Sequence, residues 1–318
     1  MRFGAFVPQG WRMDLVGVAA ADQWETVMRV AGDIEAAGYE SAWVYDHFHT
    51  VPVPTQEATL EAWSVMAGLA AATDRIRLGQ MCTCNSYRPP AYMAKVASTI
   101  DVMSGGRLEF SIGAGWYEHE YLAYGYPYPS GGTRIAQLGE AVQIIKKMWL
   151  EDEATFEGEH FSIAGAINRP KPLQKPHPPL WIAGGGEKKT LRVVAEHADY
   201  SNFGAEPEVF AHKSSVLQGH CEAIGRDFSE IGRTAIHHVV LGETEADVAA
   251  KVKRFAADAG IDEERVRASF QCATAEPIID KLGKLEELGC VHVQVFFPDS
   301  VWGDGLTRFA ADVIPALG

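Results

Sequence analysis

Residues 44 to 50, VYDHFHT, place His47 and His49 one residue apart, directly after Asp46 and at the end of an apolar run. On a strand this alternation turns both rings to one side, the arrangement with which a histidine pair holds a metal ion. A metal hydrolase built on such a pair also needs further histidines and a carboxylate at later strand ends. Here His237 and His238 are adjacent and point to opposite faces of their strand. His47 can do chemistry without a metal: an imidazole with an ordinary pKa of about 6.5 gives or takes a proton near neutral pH.

Three other stretches carry chemistry-bearing types. MCTCNSYRPP places Cys82 and Cys84 on one face and surrounds them with the small polar groups of Thr83, Asn85 and Ser86, against which a flat ring could lie. Gly113-Ala114-Gly115 lets backbone approach a ligand, and the following WYEHEYLAYGYPYP offers an aromatic wall with Glu118, His119 and Glu120 as proton carriers or as the first turn of a helix. Gly184-Gly185-Gly186 precedes a helix expected to start near Glu187, so that backbone N–H groups and the helix dipole can converge on a phosphate. The loop is neither a GxGxxG fingerprint nor a P-loop, and Lys188, Lys189 and Arg192 add positive charge to it.

These stretches lie at the ends of eight short apolar segments: 2–8, 40–46, 76–83, 108–115, 179–186, 199–204, 234–242 and 291–297. Helical periodicity fills the gaps, as in Trp24, Val27, Met28, Ala31 and Ile34, in Ile135, Leu138, Val142, Ile145 and Trp149, and in Ile278, Leu282, Leu285 and Leu288. Gly38 and Gly289 stand where two of these helices should end, before a strand, as left-handed caps do. Eight strands alternating with helices predict an α/β fold, a (β/α)₈ TIM barrel, in which sites sit on the loops after the strands. Such a barrel needs roughly 250 residues; the surplus falls in a proline-rich insertion at about 151–178, between strands four and five, within a single domain spanning 1–318.

Composition narrows the partners. A formal charge of −14 and the lack of a basic run disfavour nucleic acid. No apolar stretch is long enough for a membrane span, and MRFGAFVPQG lacks the pattern of a signal peptide, so a cytoplasmic location is expected. Five cysteines without a CxxC pair are expected to be reduced thiols.

The chain resembles the luciferase-like monooxygenase superfamily, in its actinobacterial-type branch that depends on the deazaflavin coenzyme F420. MRFGAFVPQG, WVYDHF, the block from RIRLGQMCT through DVMSGGRLEFSIGAGWYEHEYLAYGYPYP, PKPLQKPHPPLWIAGGGEKKT and ELGCVHVQVFF carry the resemblance, which covers nearly the whole chain. It implies a barrel with the cofactor ring in its mouth, usually in a homodimer, with Asp46 and His47 beside the ring and Gly184, Gly185, Gly186 and Glu187 at its phosphate. It also implies a non-proline cis peptide at Met81–Cys82 that supports the ring, with Thr83, Gly113 and Gly115 nearby. In the family's sugar-phosphate dehydrogenases a glutamate follows the Gly-x-Gly of strand four and a tryptophan lies beyond the histidine. Trp116 and Val51 occupy those places here, which disfavours glucose-6-phosphate oxidation.

The function expected is hydride transfer between C5 of F420 and a small organic substrate, with His47 moving the accompanying proton and Glu118 or His119 as second candidate. An FMN-dependent monooxygenase is the alternative within redox chemistry. A non-catalytic flavin- or deazaflavin-binding protein would keep the glycine loop but need no proton donor.

Overall fold

A computed structural model describes residues 1 to 317. Eight parallel strands carry the fold: β1 Arg2–Phe6, β2 Ser41–Val44, β3 Arg77–Gln80, β4 Leu108–Gly113, β5 Leu180–Ala183, β6 Tyr200–Gly204, β7 Gly232–Leu241 and β8 Cys290–Phe296. Neighbours in the sheet run β7-β8-β1-β2-β3-β4-β5-β6, and β6 pairs again with β7, so the ring closes as a (β/α)₈ barrel. All eight expected segments are strands. The residues of β2 and β4 are buried along their whole length, as strands covered on both faces must be, which is why they read as continuous apolar runs.

By Cα packing the chain divides into two compact units, Met1–Val65 with Phe203–His212 and Arg233–Gly318, and Met66–Asn202 with Lys213–Gly232. The first holds β7, β8, β1 and β2. Its register sets Ala5 against Val295, Phe6 against Trp43 and His238 against Phe296, so side chains near the carboxyl ends of these strands lie at similar heights. Lower in the same strands Trp43 Nε1 donates to Ser41 Oγ at 2.7 Å, and that hydroxyl lies 3.1 Å from His292 Nε2. A Cβ at Gly4 would stand 2.4 Å from both Ser41 Oγ and Trp43 Nε1, so a glycine is required in β1 at this point. Helix Gln23–Ala36 buries Val27, Val30, Ala31 and Ile34 and ends at Gly38, whose φ is +86°. Gly289 has the same φ after helix Ala275–Glu287, so both expected caps are present.

The second unit holds β3, β4, β5 and most of β6, with helix Pro90–Met103 and helix Gly131–Leu150. Ser130 caps the latter, accepting from Thr133 N at 3.2 Å. The insertion has two parts. Strands Ala154–Glu157 and Ser162–Ala166 form a hairpin whose turn donates three backbone N–H groups, from Glu159, His160 and Phe161, to the Glu140 carboxylate. The rest runs past the amino end of β4: Asp101 accepts from Leu173 N at 2.7 Å and Gln174 N at 3.1 Å, while Gln174 Nε2 reaches Leu108 O at 2.7 Å. The hairpin turn also carries Phe161 to a pocket shared with Asn85, Ser86 and Tyr87, just beyond the end of β3.

Candidate active site

In the first unit the end of β2 delivers Tyr45, Asp46 and His47. Gln9, in the loop after β1, fixes this strand end from both sides: its Nε2 donates to Tyr45 O at 2.7 Å and its Oε1 accepts from Tyr45 N at 2.8 Å. Asp46 is buried, and His47 is half-buried with its ring 4.0 Å from Trp11 and 1° from parallel. Two stacked flat faces leave imidazole rotation little freedom, so Trp11 holds the His47 ring in place. Trp11 was not singled out by the sequence reading; only the fold brings the β1 loop beside the β2 end. His49 is half-buried as well, and among the described residues no group of three or more His, Cys, Asp or Glu gathers to hold a metal ion.

In the second unit β3 ends at Gln80 and the Met81–Cys82 peptide is cis, the bond the resemblance implied. Thr83 Oγ1 donates to Gln80 Oε1 at 3.0 Å, whereas Gln80 Nε2 and Asn85 Nδ2 are buried with no acceptor. The Cys82 thiol fills the space above Gly113, where a Cβ would stand 2.6 Å from Sγ. Gly115, with φ +77°, leaves room for the Tyr121 hydroxyl, which would lie 1.8 Å from a Cβ there. Glu118 and His119 open the short helix Glu118–Ala123 with exposed side chains, so the helix-start reading of this acidic stretch describes the local structure. Glu120 is the buried acid of the trio. It accepts from the Tyr87 hydroxyl at 2.7 Å, and burial, together with the charge and hydrogen bond of Glu120, pushes the Tyr87 pKa far up. Trp116 is 59% exposed and stacks on Tyr117.

The glycine loop after β5 is also in this unit. Gly184 has φ +124°, open to glycine, and a Cβ at Gly186 would stand 2.7 Å from Thr190 Oγ1. The helix begins at Thr190 and not near Glu187, because residues 187 to 189 form a turn. Arg192 pairs with Glu196 one turn further on at 2.8 Å. Lys213 also reaches the loop: its stem passes 3.4 Å from the Cβ position of Gly185 and its ammonium pairs with Glu187 at 2.6 Å. His220 Nε2 lies 2.7 Å from Glu187 O. Bare backbone, a helix start and an adjacent lysine fit a phosphate, and the two buried amide N–H₂ groups of Gln80 and Asn85 fit a ring edge rich in carbonyl acceptors.

The luciferase-like monooxygenase family model matches residues 1–290. The chain belongs to this family. A pyrimidine monooxygenase, RutA, of Stutzerimonas stutzeri is 31% identical over 278 residues, 84% of this chain and 74% of that protein. The RutA of Cronobacter sakazakii is 34% identical over 212 residues, 64% of this chain and 60% of that protein. Among solved structures, an F420-dependent secondary alcohol dehydrogenase with an F420-acetone adduct superposes at a TM-score of 0.81 with 23% identity, covering 100% of this chain and 99% of that one. This family member is thus similar to enzymes of more than one reaction type.

Proposed function

We propose that this luciferase-like family member is an F420-dependent oxidoreductase that moves a hydride between C5 of the deazaflavin and a small organic substrate. The observation that carries this reading is His47 clamped against Trp11 at 4.0 Å, since reduction or oxidation at carbon needs a proton delivered or removed at a fixed place. From the second unit, Gly184, Gly185, Gly186 and Lys213 would hold the phosphate, and Met81, Cys82, Thr83, Gly113 and Gly115 would lie against the ring. In the first unit, Asp46 and His47 would supply the proton site. When bound, the deazaflavin would give a hydride in its reduced form or take one in its oxidised form; the protein would supply orientation, exclusion of water and the proton given or taken at the His47 ring. The F420-dependent alcohol dehydrogenase among the solved structures supports the reading. The protein is further proposed to act as a homodimer, which sedimentation of the purified chain tests.

A second reading is favoured by one observation: the sequence relatives at 31% and 34% identity are pyrimidine monooxygenases, which supports FMN and oxygen in place of deazaflavin. Titration of the protein with F420 and with FMN, each followed by fluorescence quenching, separates the two. Quenching of F420 and turnover without oxygen uptake are expected. Tight FMN binding with no response to F420 overturns the proposal.

A further inference from the structure

Arg12, next to Trp11 in the β1 loop, has an unusual environment for a cation. Its guanidinium carbon lies 4.7 Å from the Trp11 ring centre, 5.5 Å from Tyr45 and 5.6 Å from Phe296. Among the described residues it makes no ion pair, and its Nε is buried without an acceptor. The nearby acid, Asp14, is committed elsewhere: its carboxylate accepts from Gly10 N at 2.6 Å and Gln9 N at 3.3 Å, and burial pushes its pKa up to about 6. Aromatic faces attract a guanidinium by about 0.5 to 2 kcal/mol but accept none of its in-plane hydrogen bonds; the Tyr45 hydroxyl takes one of them and leaves Nε without an acceptor. Arg12 is half-buried, so a ligand can reach it.

Two neutral polar groups flank this charge. The Tyr45 hydroxyl lies 3.4 Å from His238 Nε2. Burial raises the Tyr45 pKa and keeps the phenol protonated. Burial and the Arg12 charge hold His238 well below its ordinary value, so it adds no second cation at neutral pH. His238 also lines a cleft of about 500 Å³ with Phe270 and Arg267. Within this unit the cluster contains one positive charge, a hydroxyl and an imidazole at the carboxyl ends of β2, β7 and β8, with Trp11 touching both Arg12 and His47.

We propose that Arg12, with Tyr45 and His238, is a subsite for an anionic substrate group, a carboxylate, which would accept paired N–H donors from the guanidinium. This deepens the functional reading above and rests on its placing the reacting region at the β2 end. It assigns the substrate class as a small monocarboxylate, whose carboxylate Arg12 anchors while its reacting carbon is presented to the proton carrier.

The test uses the purified full chain without cofactor at neutral pH. Acetate, pyruvate and benzoate are titrated against the matching amides by calorimetry and by tryptophan fluorescence, to which Trp11 contributes. At least one acid should bind roughly tenfold or more tightly than its amide, as one charge-assisted pair requires. Arg12→Gln should abolish that preference while circular dichroism and melting temperature stay near the parent's, and Arg12→Lys should keep part of it. Equal binding of acids and amides, or an unchanged preference in Arg12→Gln, overturns the subsite. So does an Arg12→Gln protein that keeps the preference but binds F420 or FMN more weakly, because the arginine then serves the cofactor. Probe binding is read without cofactor, so failure of the hydride-transfer reading remains distinguishable from failure of the subsite.

Discussion

The proposed role of His47 rests on what holds it. An imidazole on a mobile loop loses orientation with every rotation, whereas here Trp11 covers one face and Gln9 pins the strand end that carries it. His47→Ala should lower turnover by about 10²- to 10⁴-fold while cofactor affinity changes little, the signature of a lost proton carrier. Unchanged turnover would remove His47 from the mechanism, and absence of turnover in the parent with any substrate would favour a binding role. Trp11→Leu should cost less than His47→Ala and act on kcat more than on KM. Glu118→Gln should leave turnover within about threefold of the parent, since general acid–base work requires contact with the reacting group and Glu118 is exposed on its helix. Asp46 and His47 were legible in the sequence as a pair at a strand end. Trp11, Arg12 and Lys213 were not, because nothing local marks them and each acquires its role from a neighbour on another element.

At the scale of elements, the glycine loop and the strands that precede the site were legible, and the helix that follows was misplaced by three residues. Glycine runs and apolar periodicity are local properties that the chain carries in its residue types. The start at Thr190 depends on a turn stabilised from outside, where Lys213 and His220 of helix Pro207–Ile224 hold Glu187. Gly184→Ala forces an L residue to φ +124°, at a cost of about 1 to 3 kcal/mol. It should weaken cofactor binding by roughly tenfold with the barrel still folded, as circular dichroism and a fluorescence titration would show. An unaltered dissociation constant would place the phosphate elsewhere. The insertion divides similarly: its prolines marked it as irregular, but only the tertiary contacts show that residues 173 and 174 lie at the amino end of β4 while the hairpin turn packs on Glu140.

For the whole molecule, stability against acid is set by buried groups that oppose one another. His237 is buried, and desolvation lowers its pKa to about 4, so its folded form stays neutral while the unfolded chain takes up a proton. Its contribution is complete above about pH 6.5 and is lost as pH falls toward 4, roughly 3 kcal/mol in all. His238 shifts in the same direction. Asp14 works the other way: its raised pKa favours the fold below about pH 3.8, and that advantage disappears as pH rises through 6. His197 shifts as these histidines do and Asp299 as Asp14 does; three histidines against two aspartates give a net loss on acidification, so the urea midpoint should fall between pH 6.5 and 4.5, and His237→Gln should flatten that fall. An equally steep profile in the variant would assign the acid sensitivity to other groups. The sequence by itself determined the barrel, its eight strands, the glycine loop and Asp46 with His47, because hydrophobic period and turn chemistry are written residue by residue. Only the tertiary structure decided what stands beside them: the Trp11 clamp, the Lys213 cation, the buried Glu120 and the aromatic box around Arg12. Most of those partners lie tens of residues or more apart along the chain, and the packing of neighbouring elements within each unit brings them within contact distance.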